Sequence, residues 1–128
     1  MATGQSMDCG ARAEQWACEL LHRNGLKIKT RNYRTRRGEV DIIAEDGDTL
    51  VFVEVRLRAN QKFGGAKESI TPRKQRRIIL ASQQYLQQLP GGNSHACRFD
   101  TICISQKPGA TDHETEWIKN AFGCGEGW

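Results

Sequence analysis

The sequence feature that most constrains the fold is the run TLVFVEVRLR at positions 49–58. Its β-branched and aromatic residues predict a β-strand, whose side chains point to opposite faces in turn. One predicted face carries Val51, Val53, Val55 and Leu57, and the other carries Phe52, Glu54, Arg56 and Arg58. Glu54 therefore lies among apolar residues in the middle of a strand, where burying a carboxylate is costly unless a cation compensates it.

The first predicted element is a helix over residues 9–24. Its apolar residues recur at helical spacing, and Asn24-Gly25 forms a stop signal. Glu14 falls inside the apolar face of this helix, between Leu21 and Cys18 on a helical wheel. If every charged residue simply faced solvent, the position of Glu14 inside the apolar face would remain unexplained.

The remaining pattern predicts a sheet flanked by helices. Strand-like segments joined by short turns predict an antiparallel meander. Thr71 followed by Pro72 predicts the N-terminus of a second helix that ends near Leu89. The predicted strands are residues 26–34, 38–44, 49–58 and 97–105, and a short element is expected around Trp117-Ile118. The order α-β-β-β-α-β predicts an α/β fold with a mixed β-sheet flanked by helices.

Length and composition indicate one globular domain. The chain has 128 residues, of which 38% are hydrophobic and 27% are charged, values typical of a folded domain that buries its own core. We expect this domain to span residues 9–122, with flexible tails at 1–8 and 123–128. The sequence has no leader pattern and no apolar run of about 18 residues, which predicts a cytoplasmic protein without membrane contact and with free thiols.

Basic residues are clustered, although the net charge is only +4. Residues 23–37 contain seven basic residues and no acid, and residues 56–77 contain eight against a single Glu68. Such runs favour a polyanionic partner, although a solvated face is the alternative. On the second helix Lys74 falls toward the apolar side and is expected to face the sheet or to extend along the helix end, while the neighbouring arginines point outward.

Two acids on neighbouring predicted strands form the candidate site. Asp41 is expected to share a strand face with Glu39 and Ile43, and a tight turn at 46–48 would bring it near Glu54. Paired carboxylates suit Mg²⁺, which neutralises a phosphate oxygen and acidifies water. In the alternative interpretation, Glu54 and Arg56 form an exposed pair and Asp41 is simply salt-bridged.

Six segments resemble the YraN-like family of bacterial proteins: GARAEQWACELL, RNYRTRRGEVDIIAEDG, LVFVEVRLR, FGGAKESITPRKQRRI, CRFDTICI and EWIKNAF. The resemblance extends from about Cys9 to Phe122. That family is similar in fold to Holliday-junction resolvases and restriction endonucleases, the PD-(D/E)xK nuclease superfamily. The resemblance therefore implies a single nuclease-like domain of restriction-endonuclease-like fold.

The resemblance also implies roles for particular residues. It makes Glu14, Asp41 and Glu54 the acids of the site, with Asp41 and Glu54 as ligands of Mg²⁺ or Mn²⁺. Lys74 matches the lysine near the start of the second helix, and Arg56 stands where the superfamily has its lysine. Because arginine stays protonated, Arg56 could stabilise charge on a phosphate but could not activate water as a neutral amine would.

The expected function is that of a metal-dependent endonuclease-like protein that binds, and on this reading cleaves, structured or duplex DNA. The residues expected to contact the nucleic-acid backbone are Arg34, Arg36, Arg37, Arg58, Arg73, Arg76 and Arg77. The alternative is a non-catalytic nucleic-acid-binding adaptor that keeps the nuclease scaffold, and a third reading is a basic surface for an acidic protein partner. Because resolvase-like proteins are dimeric, the resemblance allows for a homodimer.

Overall fold

The computed structural model describes residues 9–58, 70–105 and 113–123. The predicted N-terminal tail and most of the C-terminal tail lie outside these ranges. The elements are α1 (Cys9–Arg23), β1 (Lys27–Arg34), β2 (Glu39–Asp46), β3 (Thr49–Arg58), α2 (Pro72–Gln87), β4 (Ala96–Ser105) and β5 (Glu114–Phe122). A short 3₁₀ turn at Gly92–Ser94 precedes β4. The predicted α/β architecture is confirmed.

The five strands form one mixed sheet in the order β1-β2-β3-β4-β5. β1, β2 and β3 make the antiparallel meander that the short turns predict. β4 then pairs with β3 in parallel, after the chain has crossed over through α2, and β5 pairs with β4 antiparallel. As a result, β3 and β4 end at the same edge of the sheet at which β2 begins.

Each face of the sheet buries one apolar core. The α1-side core joins Ala17 and Leu21 of α1 to strand residues such as Ile42. The α2-side core joins Ile78 and Ala81 of α2 to a second set of strand side chains, including Ile43, Phe52 and Phe99. Full burial of one large apolar side chain contributes about 1.5–3 kcal/mol, so these two layers hold the helices on the sheet. The free thiols of Cys18 and Cys103 are buried, as expected.

Both helices follow their local end signals. At the end of α1, Leu26 N–H donates to the Leu21 carbonyl at 3.0 Å and Gly25 N–H to the His22 carbonyl at 3.0 Å. Gly25 has a φ of 87°, which completes the left-handed cap that glycine favours. At the start of α2, Thr71 is the N-cap, and its hydroxyl accepts a hydrogen bond from Lys74 N–H at 3.2 Å.

The prediction of only a short element near Trp117-Ile118 is wrong, because β5 is a full strand along β4. Its pairing shifts between Phe99 and Thr101 of β4, and Asn120 has a left-handed φ of 53°. This bulge disrupts the period-two pattern by which a strand is recognised in sequence. No helix in the described ranges is long and apolar enough to cross a membrane.

Candidate functional site

Asp41 lies where the regular alternation of β2 is interrupted. Val40 and Ile43 both pack in the α2-side core, although strict alternation would place them on opposite faces. Asp41 instead lines a cleft beside α1, so the prediction that it shares a face with Ile43 is wrong. The physical reason lies in the neighbouring strand, where Asn32, opposite Asp41, has a left-handed φ of 53°.

Asp41 of β2 and Glu54 of β3 lie close enough for each carboxyl group to influence the pKa of the other. Asp41 Oδ2 accepts a hydrogen bond from Val55 N–H at 2.8 Å, just beyond the last paired residues of β2 and β3, Ile42 and Val53. Glu54 is only 7% exposed. The alternative interpretation of an exposed Glu54–Arg56 pair is therefore wrong.

Burial raises the pKa of both carboxyl groups, and the charge of Asp41 adds to this effect at Glu54. Burial first and the Asp41 charge second raise the pKa of Glu54 to about 8. Burial is also the main cause that raises the pKa of Asp41 above its ordinary value. Two carboxyl groups that cannot both ionise freely hold a proton where a cation could bind.

Lys74 faces Glu54, which is one of the two placements that the sequence leaves open for this side chain. Its Nζ atom lies 3.5 Å from Glu54 Oε2. The charge of Lys74 lowers the pKa of Glu54, but burial outweighs this effect. Lys74 is thus an ionic partner for one oxygen of Glu54, but it offsets only part of the free-energy cost of burying this carboxyl group.

Two buried side-chain oxygens at this site lack hydrogen-bond partners within the described part of the chain. They are Glu54 Oε1 and Thr101 Oγ1, and Thr101 is level with Glu54 on the parallel strand β4. Buried polar atoms in folded proteins normally have a hydrogen-bond partner or an ion. An orphaned carboxylate oxygen next to a second carboxyl group fits a divalent cation.

The protein side chains would supply only part of the coordination of such a cation. Among residues 9–58, 70–105 and 113–123, no group of three or more His, Cys, Asp and Glu side chains could hold a metal ion. Mg²⁺ commonly uses one or two carboxylates and completes its octahedron with water and substrate phosphates. The Asp41–Glu54 pair matches that second arrangement.

A cleft of about 420 Å³ opens on the α1 side of Asp41. Its polar lining residues are Glu14, Asn32, Arg34 and Asp41. Glu14 Oε1 accepts hydrogen bonds from Asn32 Nδ2 at 3.0 Å and from Arg31 Nη2 at 3.4 Å. The acid that the helical wheel places inside an apolar face therefore lies at the cleft rather than in the core.

Five of the seven arginines predicted to contact a nucleic acid lie on two neighbouring elements, the β1–β2 turn and α2. A Cβ atom at Gly38 would lie 1.9 Å from the Arg77 carbonyl oxygen, so the β1–β2 turn is seated directly on α2. We call the exposed arginines of these two elements the basic ridge: Arg36, Arg37, Arg73, Arg76 and Arg77. Arg34 lines the cleft and Arg56 is half-buried, whereas the side chain of Arg58 lies outside what the structure describes.

Comparison with known proteins identifies the family. The model of "Uncharacterised protein family UPF0102" matches residues 13–104. The chain belongs to the UPF0102 family. This result confirms the YraN-like resemblance, and the matched region contains all five residues to which we assign a role in the site chemistry.

UPF0102 relatives cover nearly the full chain. A UPF0102 protein of Nitrosococcus oceani is 47% identical over 115 residues, which cover 90% of this chain and 91% of the relative. A UPF0102 protein of Ectopseudomonas mendocina is 46% identical over 115 residues, covering 90% and 94%. A UPF0102 protein of Pseudomonas aeruginosa is 44% identical over 117 residues, covering 91% and 94%.

Sequence reasoning missed two residues at this UPF0102 site. Asn32 was part of a predicted strand, and the one available signal was that asparagine is rare in strands and tolerates left-handed backbone. Thr101 gave no signal, because threonine is common in strands. Its position beside Glu54 depends on the parallel pairing of β3 with β4.

Proposed function

We propose that this UPF0102 protein is a divalent-metal-dependent phosphodiesterase that acts on nucleic acid, with DNA as its expected substrate. The observation that carries the proposal is the buried, unpartnered Oε1 atom of Glu54, on a carboxyl group whose pKa is raised by burial and by the neighbouring Asp41. Lys74 and the basic ridge lie on the elements around this pair. Metal-assisted phosphodiester cleavage uses such a combination of cation ligands and positive charge.

We also infer that the α/β fold is of the restriction-endonuclease-like class. A three-stranded meander followed by a crossover helix and a parallel strand supports this assignment. The two acids lie toward the end of the sheet at which β2 begins and β3 ends. Asp41 lines the cleft beside α1, whereas Glu54 is nearly buried and faces Lys74 of α2. Fold alone does not determine activity, so the functional argument rests on the site.

Asp41 and Glu54 would hold the cation, Mg²⁺ or Mn²⁺. When bound, such an ion neutralises charge on a phosphate oxygen and makes water more acidic. Lys74, at 3.5 Å from Glu54, would stabilise the charge that develops on the attacked phosphate. Arg56 would add a permanent positive charge but would not accept a proton.

The basic ridge would bind the nucleic-acid backbone beside the acids. Arginine forms bidentate contacts with phosphate, and such contacts carry no base preference. The N-terminal part of α2 also lies here, since Lys74 in its first turn contacts Glu54. The helix dipole disfavours arginines near a helix N-terminus. An anion bound there would offset this cost, because helix N-termini bind anions.

A cleavage assay tests the enzymatic proposal. Linear, flapped and four-way DNA would be incubated with Mg²⁺ or Mn²⁺ and wild-type protein, Asp41→Asn, Glu54→Ala or the control Asp48→Asn. Asp48 is an exposed acid in the β2–β3 turn, so we expect its variant to cleave like wild type and the two site variants to be inactive. Absence of cleavage by the wild type on every DNA with both ions would contradict the proposal.

Arg56 supports the second candidate function, a nucleic-acid-binding adaptor without catalysis. It stands where the superfamily has a lysine, and an arginine there cannot lose a proton. An adaptor would bind DNA with a strong salt dependence, show no cleavage and be indifferent to Glu54→Ala. A purely protein-binding role would instead be unaffected by competing duplex DNA.

A further inference from the structure

We propose that Asn32 is a positioning residue, which holds the Glu14 carboxylate at the cleft beside Asp41 so that Glu14 supports divalent-cation binding by its charge without being a ligand of the ion. This inference rests on the proposed function, because it concerns the same cation. It adds a residue on β1 to a site otherwise made by β2, β3 and the two helices.

The first observation is the contact itself. Asn32 Nδ2 donates to Glu14 Oε1 at 3.0 Å, the better hydrogen-bonding distance of its two donors. Arg31 reaches the same oxygen only at 3.4 Å, and its side chain is 39% exposed whereas that of Glu14 is 13% exposed. Arg31 Nη1 also donates to Gln15 Oε1 at 3.2 Å, so its guanidinium is shared between two acceptors, and an exposed ion pair orients a carboxylate weakly. The shorter contact from the Asn32 amide therefore holds Glu14 at the cleft.

The second observation is the backbone of Asn32. Its φ of 53° is left-handed, an unusual conformation for a residue within a strand. The flanking pairs, Arg31 with Ile42 and Tyr33 with Val40, place Asn32 opposite Asp41. Backbone strain of this kind is maintained where the surrounding structure requires it, often at functional sites.

The third observation is the shared cleft. Glu14 and Asp41 both line the cleft of about 420 Å³ beside α1, so a carboxylate held at Glu14 lies on the same surface as the proposed ligand Asp41. The amide of Asn32 is neutral, so it orients Glu14 without adding a positive charge. The negative charge of Glu14 would favour a divalent cation at Asp41, provided that its position is held.

The test compares glycine substitutions at two asparagines that have the same backbone φ. Asn32→Gly keeps a residue that adopts positive φ but removes the amide. Asn120→Gly is the matched control, because Asn120 also has a φ of 53° but lies in the β5 bulge, where its backbone N–H donates to Asp100. We expect titration calorimetry with Mn²⁺ to show about tenfold or greater loss of affinity for Asn32→Gly, and less than about twofold for Asn120→Gly.

A double-mutant cycle separates positioning from a general structural role. If Asn32 acts through Glu14, Asn32→Gly will change Mn²⁺ affinity little in a Glu14→Gln background. Thermal unfolding in EDTA checks that both glycine variants are folded. Unchanged Mn²⁺ affinity in Asn32→Gly, or an equal loss in both backgrounds, would overturn the inference.

The outcomes also separate this inference from the proposed function. Suppose that the wild type binds Mn²⁺, that Asp41→Asn does not, and that Asn32→Gly binds it with unchanged affinity. This result would support the metal site and overturn only the role of Asn32. Wild-type protein that binds no Mn²⁺ would overturn both.

Discussion

Glu54 is the residue whose environment departs furthest from its ordinary one. It is only 7% exposed within β3, and Lys74 of α2 lies 3.5 Å from its Oε2 atom. Asp41 contributes a second carboxyl group rather than a compensating charge. The unfolded chain experiences neither effect, so the ionisation of Glu54 is linked to folding.

The metal-free protein should lose stability as the pH rises. The folded state retains the Glu54 proton up to about pH 8, whereas the ordinary value is 4.5, so the folded state binds more protons in this window and stability falls through it. The raised pKa of Asp41 acts in the same direction. At about 1.4 kcal/mol per pKa unit, the free energy of unfolding should drop by more than about 2 kcal/mol between pH 5 and pH 8.

Urea unfolding in EDTA at several pH values measures this drop. Glu54→Gln removes the titrating group and should flatten the decline, whereas the exposed Glu19→Gln should leave it unchanged. Added Mn²⁺ should stabilise the wild type more at pH 8 than at pH 5, because it replaces a proton. Equal slopes for wild type and Glu54→Gln would contradict this account of the site.

β5 is attached to the sheet by one buried acid as well as by its strand pairing. Asp100 on β4 is fully buried and accepts hydrogen bonds from Arg98 Nε at 3.1 Å, Trp117 Nε1 at 2.9 Å and Asn120 N–H at 3.1 Å. Arg98 in turn contacts Asp46 at 3.0 Å. This network joins β5 to β4 and to the β2–β3 turn.

Breaking this network should be costly. Asp100→Asn removes the charge opposite Arg98 and places an amide donor among donors, so we expect a loss of about 3–5 kcal/mol in unfolding free energy. The control, the exposed Asp48→Asn, should change it by no more than about 0.5 kcal/mol. Urea denaturation measures both, and similar values for the two variants would show that the network contributes little.

The β1–β2 turn and α2 form one unit because Gly38 has no side chain. Gly38→Ala should destabilise the protein by about 1–3 kcal/mol, since its Cβ atom would lie 1.9 Å from the Arg77 carbonyl. The variant should also weaken DNA binding, because the turn carries Arg36 and Arg37 away from α2. Gly47→Ala has no atom within 4 Å of the new Cβ and should affect stability alone, through its left-handed φ.

Thermal unfolding and fluorescence-anisotropy titration with duplex DNA measure the two effects of Gly38→Ala. Unchanged DNA affinity in a destabilised Gly38→Ala would mean that the turn does not contribute to binding.

Charge is distributed unevenly over the protein. The basic ridge and Lys74 lie at the end of the sheet where β2 begins, and the acids Glu45, Asp46 and Asp48 lie around the β2–β3 turn at the other end. Exposed Glu114 and Glu116 lie at the same end as the basic ridge, and Lys29 pairs with Glu45 at the other end. The net charge of +4 therefore conceals a local basic cluster, which would attract a polyanion.

Removing part of the basic ridge should weaken DNA binding without base preference. For the double variant Arg76→Ala, Arg77→Ala, the slope of log affinity against log salt should become shallower by about 0.9 for each phosphate that the protein no longer neutralises. Arg23→Ala removes an exposed arginine at the C-terminal end of α1 and should leave the slope unchanged. Anisotropy titrations across salt concentrations measure this, and identical slopes for all three proteins would exclude the ridge as the binding surface.

Local sequence signals predicted most of the elements and both key acids. The Asn24-Gly25 stop and the Thr71-Pro72 start act through hydrogen bonds within a few residues, so they can be recognised without knowledge of the fold. Glu54 is conspicuous for a similar reason, because apolar residues on both sides of it in the sequence imply burial. The cationic partner that its burial requires is Lys74, which the helical wheel placed toward the sheet.

Contacts between residues distant in sequence account for everything that was missed. The length of β5 depends on pairing with β4 and on a bulge at Asn120. The exposure of Asp41 to the α1-side cleft depends on the left-handed Asn32 of the adjoining strand, and the basic ridge depends on Gly38 meeting the Arg77 backbone. Periodicity in a sequence shows which residues share a face of one helix or strand. The missed features arise from close packing between different elements, which no local pattern encodes.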